Sequence, residues 1–297
     1  MSGKIRRSFG NRSRKSHFGF GVASWNLLFH ILVVLLVDGS ESRKMSEKYN
    51  NYLQLPINND EIKKGVCQRD PSQMIFFTLK DMKLGQKIPI YFPKKDPSSS
   101  PHLLARYEAS SIPFSSKELP NLLNFFSFSQ DSPQAKAVES TLSLCEIEPI
   151  KGETKFCATS LESMLDFVRG AFGLEESFSV VTTTFLTKSS TTFQNYTIFD
   201  VPKEILAPKM VACHTMPYPY AVYYCHYQES ENKVYKISLG GENGDKVEAV
   251  AVCHMDTSHW SRDHVSFRVL RIKPGTFPVC HFFPADHLVW VPTPSTK

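Results

Sequence analysis

The chain has 297 residues, of which 41% are hydrophobic and 21% are charged, a composition typical of a folded chain with one large or two modest domains. The formal net charge of +5 is concentrated in residues 1–40, which hold six basic residues and one acidic residue, so residues 41–297 hold 28 of each sign. This balance argues against a basic surface of the kind that binds nucleic acid, and no nucleic-acid partner is expected.

The first 39 residues have the pattern of a secretory signal peptide. Basic residues come first, and a mostly apolar run of 13 residues follows at positions 25–37. That run is shorter than the ~20 residues that span a bilayer, and the small residues Gly39, Ser40 and Ser42 follow it. We predict a signal peptide over residues 1–39, with an uncleaved anchor as the alternative, and no membrane span after cleavage.

A polar segment without periodicity follows at residues 40–73 and is predicted to be a flexible variable segment. It contains Cys67 and two tyrosines, Tyr49 and Tyr52. Short apolar runs begin near Met74, so we predict that residues 74–297 form the folded domain.

Helical patterns occupy the middle of the chain and strand patterns its last third. Apolar residues at helical spacing predict helices near residues 119–126, after Ser132-Pro133, and after a capping box that would join Thr159 to Glu162. From residue 178 onward β-branched and aromatic runs predict strands, and residues 265–272 are among them. The predicted fold class is α+β, with amphipathic helices followed by a mostly antiparallel, disulfide-stapled β-sheet.

The chain contains seven cysteines, an odd number. Entry into an oxidising compartment favours disulfides, and Cys145 and Cys157, separated by a polar loop, are predicted to form a local bridge. Four further cysteines, Cys213, Cys225, Cys253 and Cys280, would form two more bridges, with three connectivities open. Cys67 is then left over, either as a free thiol or as a partner for another chain.

Those last four cysteines are each followed directly by a histidine, which makes four Cys-His dipeptides separated by 10, 26 and 25 residues. Successive side chains on a β-strand point to opposite faces. One face of the sheet would therefore carry the sulfurs and the other the imidazoles. Each dipeptide could then contribute to a disulfide and to a metal site at the same time.

Imidazoles without thiolates suit Cu(II), Ni(II) or Zn(II), and copper binds most tightly of these. The candidate ligands are His214, His226, His254 and His281, with His264 and His287 as secondary candidates and His259 behind them. The alternative is that only the bridges matter, and that the histidines are polar surface groups or satisfied core groups.

Other motifs are few. Asn195-Tyr196-Thr197 is a sequon that a secretory compartment would expose to glycosylation. The sequence has no G-x-S-x-G around a nucleophile, no glycine-rich phosphate loop and no H-E-x-x-H. Catalytic residues therefore remain unassigned.

The dipeptide spacing closely resembles that of the plant BURP domain. The likeness extends beyond the dipeptides to further segments, at residues 76–77, 84–85, 111–116, 145–164 and 280–290. It covers roughly residues 74–297. The layout of signal peptide, short variable segment and C-terminal domain is also usual for this family, and it is similar to the compact seed- and embryo-type members.

This resemblance implies a role in seed or embryo development, in stress responses or at the cell wall. The expected location is the secretory pathway, ending outside the cell, at the cell wall or in a protein storage vacuole, with a wall or peptide partner. Some family members are copper-dependent autocatalytic cyclases that crosslink Trp or Tyr side chains in their own core peptides. By resemblance, copper is the cofactor and His214, His226, His254 and His281 are its ligands.

The chain departs from the cyclase pattern because residues 40–73 contain no Trp and no repeated core peptide. Only Tyr49 and Tyr52 could serve there as a self-substrate. Two hypotheses result. The protein is either a disulfide-stapled, metal-binding protein with a structural or partner-binding role, or a copper oxidase that acts on its own tyrosines or on another peptide.

Overall fold

The computed structural model describes residues 74–93, 100–188 and 191–293. The predicted signal peptide, the variable segment, Tyr49, Tyr52 and Cys67 lie outside the described residues. Across the described part of the chain, no helix is long and apolar enough to cross a membrane.

The described residues contain α-helices at Arg106–Ser111 (α1), Leu119–Phe125 (α2), Pro133–Glu146 (α3), Leu161–Phe172 (α4) and Val265–Leu270 (α5). The strands of the first half are Phe76–Phe77 (β1), Lys87–Tyr91 (β2), Glu153–Ala158 (β3), Phe178–Val181 (β4), Thr184–Phe185 (β5), Phe193–Ile198 (β6) and Lys203–Ile205 (β7). Those of the second half are Val211–Met216 (β8), Val222–Gln228 (β9), Asn232–Gly241 (β10), Lys246–His254 (β11), Val279–Phe283 (β12) and Leu288–Pro292 (β13).

These strands form two antiparallel sheets. The larger has the order β1-β12-β11-β10-β6-β2, with β5 paired to β11 and β7 paired to β10. The smaller has the order β3-β9-β8-β13-β4. The predicted class, α+β with mostly antiparallel strands, is confirmed.

The two sheets pack against each other through a shared apolar cluster. It combines Val250, Val252 and Phe283 of the larger sheet with Ala212 and Val289 of the smaller one. Side chains that alternate with these point to the outer faces, where the other clusters lie. The outer face of the smaller sheet is covered by α4, and the strand edge near residues 218–222 by α2 and α3.

Helix α3 begins as predicted. The Ser132 hydroxyl accepts a hydrogen bond from the Ala135 amide, Pro133 occupies the first turn, and Val138 and Leu142 are buried on one face. The predicted cap of α4 was wrong by one residue. Ser160, not Thr159, is the N-cap, and its hydroxyl accepts from the Ser163 amide. Ser163 takes the place expected for Glu162.

The prediction of a strand at residues 265–272 was also wrong, because residues 265–270 form α5. A short apolar run does not distinguish a strand from a helix by its periodicity. The deciding contacts are local: the ring of His264 accepts a hydrogen bond from the Ser266 amide at the N-terminus, and Arg271 adopts a left-handed conformation, φ 58°, at the C-terminus.

Candidate metal centre

Three disulfides hold the region around the dipeptides. Cys213–Cys225 joins directly paired residues of β8 and β9, and Cys253–Cys280 joins directly paired residues of β11 and β12. Cys145–Cys157 joins the last turn of α3 to β3, as predicted. The connectivity that the sequence left open is therefore the one between neighbouring strands, and all six described cysteines are bridged within the chain.

Sulfurs and imidazoles lie on opposite faces of each sheet. Cys213 and Cys225 are buried in the cluster beneath α4, and Cys253 and Cys280 in the outer cluster of the larger sheet. The histidine that follows each cysteine points the other way, toward the face where the two sheets meet, because β-strand side chains alternate. The four imidazoles therefore converge between the sheets.

The four dipeptide histidines form two close pairs. In the smaller sheet, Nε2 of His226 lies 3.3 Å from Nε2 of His214. In the larger sheet, Nε2 of His254 lies 3.3 Å from Nε2 of His281. Both pairs bring together two ring nitrogens that have a lone pair available in one neutral tautomer.

Phe283 connects the two pairs across the sheets. The rings of His214 and His281 each stack on Phe283 with centroids 4.9 Å apart, and their own centroids are separated by 5.8 Å. The imidazoles thus form one continuous row in the order His226, His214, His281, His254.

The secondary candidates differ in their availability. Nδ1 of His287 lies 3.1 Å from Nδ1 of His214, so His287 extends the row. His264 packs 4.6 Å from the ring of Trp260, but its Nδ1 already accepts the Ser266 amide while capping α5. The neutral ring then carries its proton on Nε2, which makes His264 a hydrogen-bond donor toward its surroundings. His259 is exposed.

Two of the four imidazoles are oriented through Nδ1. Nδ1 of His226 lies 2.8 Å from Oε1 of Glu153, whose side chain is only 8% exposed and which also accepts a bond from the Tyr224 hydroxyl. Nδ1 of His254 lies 2.7 Å from Oδ1 of Asn232. Because the acceptors are oxygens, Nδ1 of each ring carries the proton and Nε2 keeps its lone pair.

The orientation of the Asn232 amide is itself set by a hydrogen bond. Its Nδ2 donates to the Ser230 carbonyl at 2.8 Å, which turns Oδ1 toward His254. Oε1 of Gln228 approaches the same Nδ1 of His254 at 3.2 Å.

Three of the imidazoles, those of His214, His254 and His281, are held in the neutral form. Burial, followed by the neighbouring imidazoles, lowers the pKa of His214 and of His254 well below the ordinary range. The same causes lower the pKa of His281 to about 3. Burial, the largest single effect, raises the pKa of Glu153, but the interactions with His226 and the hydrogen bonds from the Ile150 amide and the Tyr224 hydroxyl together lower that pKa overall. Neutral imidazole is the form that binds metals.

The donor set suits a nitrogen-bound metal, although the histidines are arranged in twos. Within the described ranges, no three or more His, Cys, Asp or Glu side chains are placed to hold one ion. Two nitrogens bound at ~2.0–2.1 Å and subtending about 90–109° at a metal would be ~2.9–3.4 Å apart. The observed separation of 3.3 Å falls in that interval. Each pair therefore fits two cis ligands of one ion.

Several residues of this site were not anticipated from the sequence, namely Glu153, Asn232, Gln228 and Phe283. Glu153 reaches His226 only because Lys155 is the direct partner of His226 in the register of β3 and β9, which places Glu153 on the same face one diagonal step away. Which residues of two distant strands lie opposite each other is not indicated by any local sequence motif.

The predicted glycosylation residue, Asn195, is exposed on β6, and its amide donates to the Glu242 carboxylate at 3.2 Å.

Comparison with known proteins identifies the family. Residues 75–292 match the BURP domain. The chain is 46% identical over 270 residues to BURP domain-containing protein BNM2C of Brassica napus, covering 89% of this chain and 95% of that protein. It is 48% identical over 227 residues to BURP domain protein USPL1 of Arabidopsis thaliana, covering 75% and 81%. It is 40% identical over 223 residues to BURP domain protein RD22 of Arabidopsis thaliana, covering 74% and 56%. The chain belongs to the BURP domain family of plant proteins.

Proposed function

We propose that this BURP-domain protein enters the secretory pathway and binds copper through the imidazoles of its Cys-His dipeptides. The observation that carries the proposal is the pair of Nε2–Nε2 approaches at 3.3 Å, one in each sheet. Because Nδ1 of His226 and of His254 is occupied by an oxygen acceptor, the Nε2 lone pairs are left for a ligand.

The three disulfides support the secretory part of the proposal, since such bonds persist in oxidising compartments. They also explain why sulfur is not proposed as a ligand, because a bridged cysteine has no thiolate to offer. Among divalent first-row metals, a nitrogen-only donor set binds Cu(II) most tightly. When bound, copper would supply one-electron redox chemistry.

The role that we propose is structural or partner-binding, in the cell wall, outside the cell or in a storage vacuole, with a part in seed development or stress. The disulfides keep the four imidazoles on one inter-sheet face, and burial keeps His214, His254 and His281 neutral. The chain itself therefore provides a preorganised nitrogen surface that needs little rearrangement to accept a cation.

A competition titration tests the copper proposal. The full chain is secreted from a eukaryotic host, stripped with EDTA and titrated with Cu(II) against a chromophoric chelator. The double variants His214→Ala/His226→Ala and His254→Ala/His281→Ala should each bind fewer Cu(II) ions or bind them more weakly, since each lacks one pair of ligands. His259→Ala, which changes an exposed imidazole, is the matched control and should bind like the parent.

Retention by both double variants of the parental Cu(II) affinity and of the parental number of bound ions would overturn the proposal. Folding is followed separately by thiol counting and by far-UV circular dichroism of the metal-free proteins. A double variant that keeps three disulfides and the parental spectrum reports on binding alone.

A second candidate function is copper-dependent oxidation of Tyr49 or Tyr52 within the same chain. The observation that favours it is the position of β1, the first strand of the domain. The ring of Phe76 lies 6.0 Å from the ring of His281 and 6.1 Å from that of His264. The chain thus enters the domain beside the imidazole row, and the two tyrosines precede Phe76 by fewer than 30 residues.

Mass spectrometry tests this second candidate. A crosslink formed by removing two hydrogen atoms, with O₂ as the electron acceptor, lowers the mass of the peptide spanning residues 45–63 by two hydrogens. Incubation with Cu(II) and air should produce that loss in the parent and not in Tyr49→Phe/Tyr52→Phe. An unchanged parental mass would reject the self-oxidation function and leave the copper-binding proposal intact.

A further inference from the structure

The two imidazole pairs have different electrostatic surroundings. His226 is backed by a carboxylate, that of Glu153, at 2.8 Å. Its neighbour His214 contacts His287, whose Nε2 lies 3.9 Å from the Asp286 carboxylate. At the His254–His281 pair, Nδ1 of His254 instead meets the neutral amide oxygens of Asn232 and Gln228.

A carboxylate and an amide affect a ligand differently. Both fix the tautomer and the direction of the ring, but only the carboxylate adds negative charge, which makes the imidazole a stronger donor. That charge attracts a bound dication about twice as strongly as a monocation, because Coulomb energy is proportional to charge. In a buried site a dication without a nearby counter-charge is disfavoured by desolvation.

On this basis, and resting on the copper proposal above, we propose that Glu153 is a positioning residue that makes the His214–His226 pair the stronger binder of the cupric ion. Asn232 has the matching role at the His254–His281 pair, where a neutral acceptor leaves that pair better suited to the cuprous ion. The two pairs are then unequal halves of one imidazole row, although their Nε2–Nε2 separations are the same.

Reciprocal isosteric substitutions test this inference. Glu153→Gln removes the charge and keeps an oxygen acceptor for His226, and Asn232→Asp adds a charge behind His254. The secreted full-chain proteins are titrated with Cu(II), and with Cu(I) under anaerobic conditions, against competing chelators. Cu(II) spectra are recorded by electron paramagnetic resonance.

Glu153→Gln should weaken Cu(II) binding by about 10–100-fold, the usual effect of losing such a partner, while Cu(I) binding changes much less. Its Cu(II) spectrum should also shift, a readout that a merely structural role would leave alone. Asn232→Asp should strengthen Cu(II) binding at the second pair by about 10-fold. Glu248→Gln is the matched control, because Glu248 too accepts a hydrogen bond from a neighbouring strand, from Ser238 at 2.7 Å, but lies at the opposite end of β11 from His254.

The outcomes separate the two proposals. Parental protein that binds no Cu(II) overturns the copper proposal and this inference together. Parental protein that binds Cu(II), while Glu153→Gln binds Cu(II) equally well with an unchanged spectrum, overturns the inference alone. Equal weakening of Cu(II) and Cu(I) by Glu153→Gln also overturns it, since the charge-dependent difference is then absent. Circular dichroism and thiol counts on the metal-free variants establish that each is folded.

Discussion

The buried neutral imidazoles predict that the metal-free protein loses stability in mild acid. The pKa of His281 falls from 6.5 to about 3 on folding. A lowered folded-state pKa means that the unfolded chain binds the proton first, so the free energy of unfolding decreases as pH falls below 6.5 and continues to decrease until pH approaches 3. Each pH unit in that window costs about 1.4 kcal/mol per group, so His281 alone destabilises the fold by about 3 kcal/mol at pH 4.5.

His214 and His254 titrate in the same direction and add to this loss. Urea unfolding of EDTA-treated protein at pH 7.5, 6.5, 5.5 and 4.5, followed by circular dichroism, measures how the free energy of unfolding changes with pH. Replacing His281 by Gln should make this pH dependence weaker, and replacing the exposed His259 should leave it unchanged. A free energy of unfolding that stays constant between pH 6.5 and 4.5 would refute the conclusion that these rings are buried and neutral.

Three further predictions concern stability. Tyr218→Phe should be neutral or stabilise by up to about 1 kcal/mol, because the hydroxyl is buried without a hydrogen-bond partner in the described part of the chain; a loss above that amount in chemical denaturation would show a missed partner. Ser160→Ala should lower the free energy of unfolding by about 1 kcal/mol because α4 loses its N-cap, whereas Thr159→Ala should change it very little. A lower unfolding midpoint for Thr159→Ala than for Ser160→Ala would indicate that Thr159 is the cap. Replacing Cys253 and Cys280 together by Ala should cost ~2–5 kcal/mol and reduce the secreted yield, whereas unchanged yield and stability would argue that this bridge is dispensable.

The features that could be predicted from the sequence are those with local causes. Ser132-Pro133 starts α3 as predicted, because capping and the fixed φ of proline act within one turn. The bridge between Cys145 and Cys157 was also predicted correctly, because the two cysteines are only 12 residues apart in the sequence. Residues 265–270 were misassigned because six residues are too few to separate a helical from an extended period, and a histidine ring supplies the cap.

Features that depend on strand register could not be predicted. The alternation of Cys and His predicted two faces, but which cysteines pair depends on β8 lying beside β9 and β11 beside β12. The same holds for Glu153 and Asn232, whose contacts with His226 and His254 arise from the pairing of β3 with β9 and of β10 with β11, where Asn232 lies directly opposite His254. His264 is the opposite case. It lies near the imidazole row, but its Nδ1 accepts a hydrogen bond from the Ser266 amide and so caps α5.

X-ray absorption at the copper edge of the loaded, secreted protein tests the copper proposal most directly. The predicted result is scattering from two or more imidazole nitrogens per ion and none from sulfur, with the imidazole signal lost when both dipeptide pairs are replaced by Ala. Sulfur in the coordination shell, or an imidazole signal unchanged when both dipeptide pairs are replaced, would contradict it.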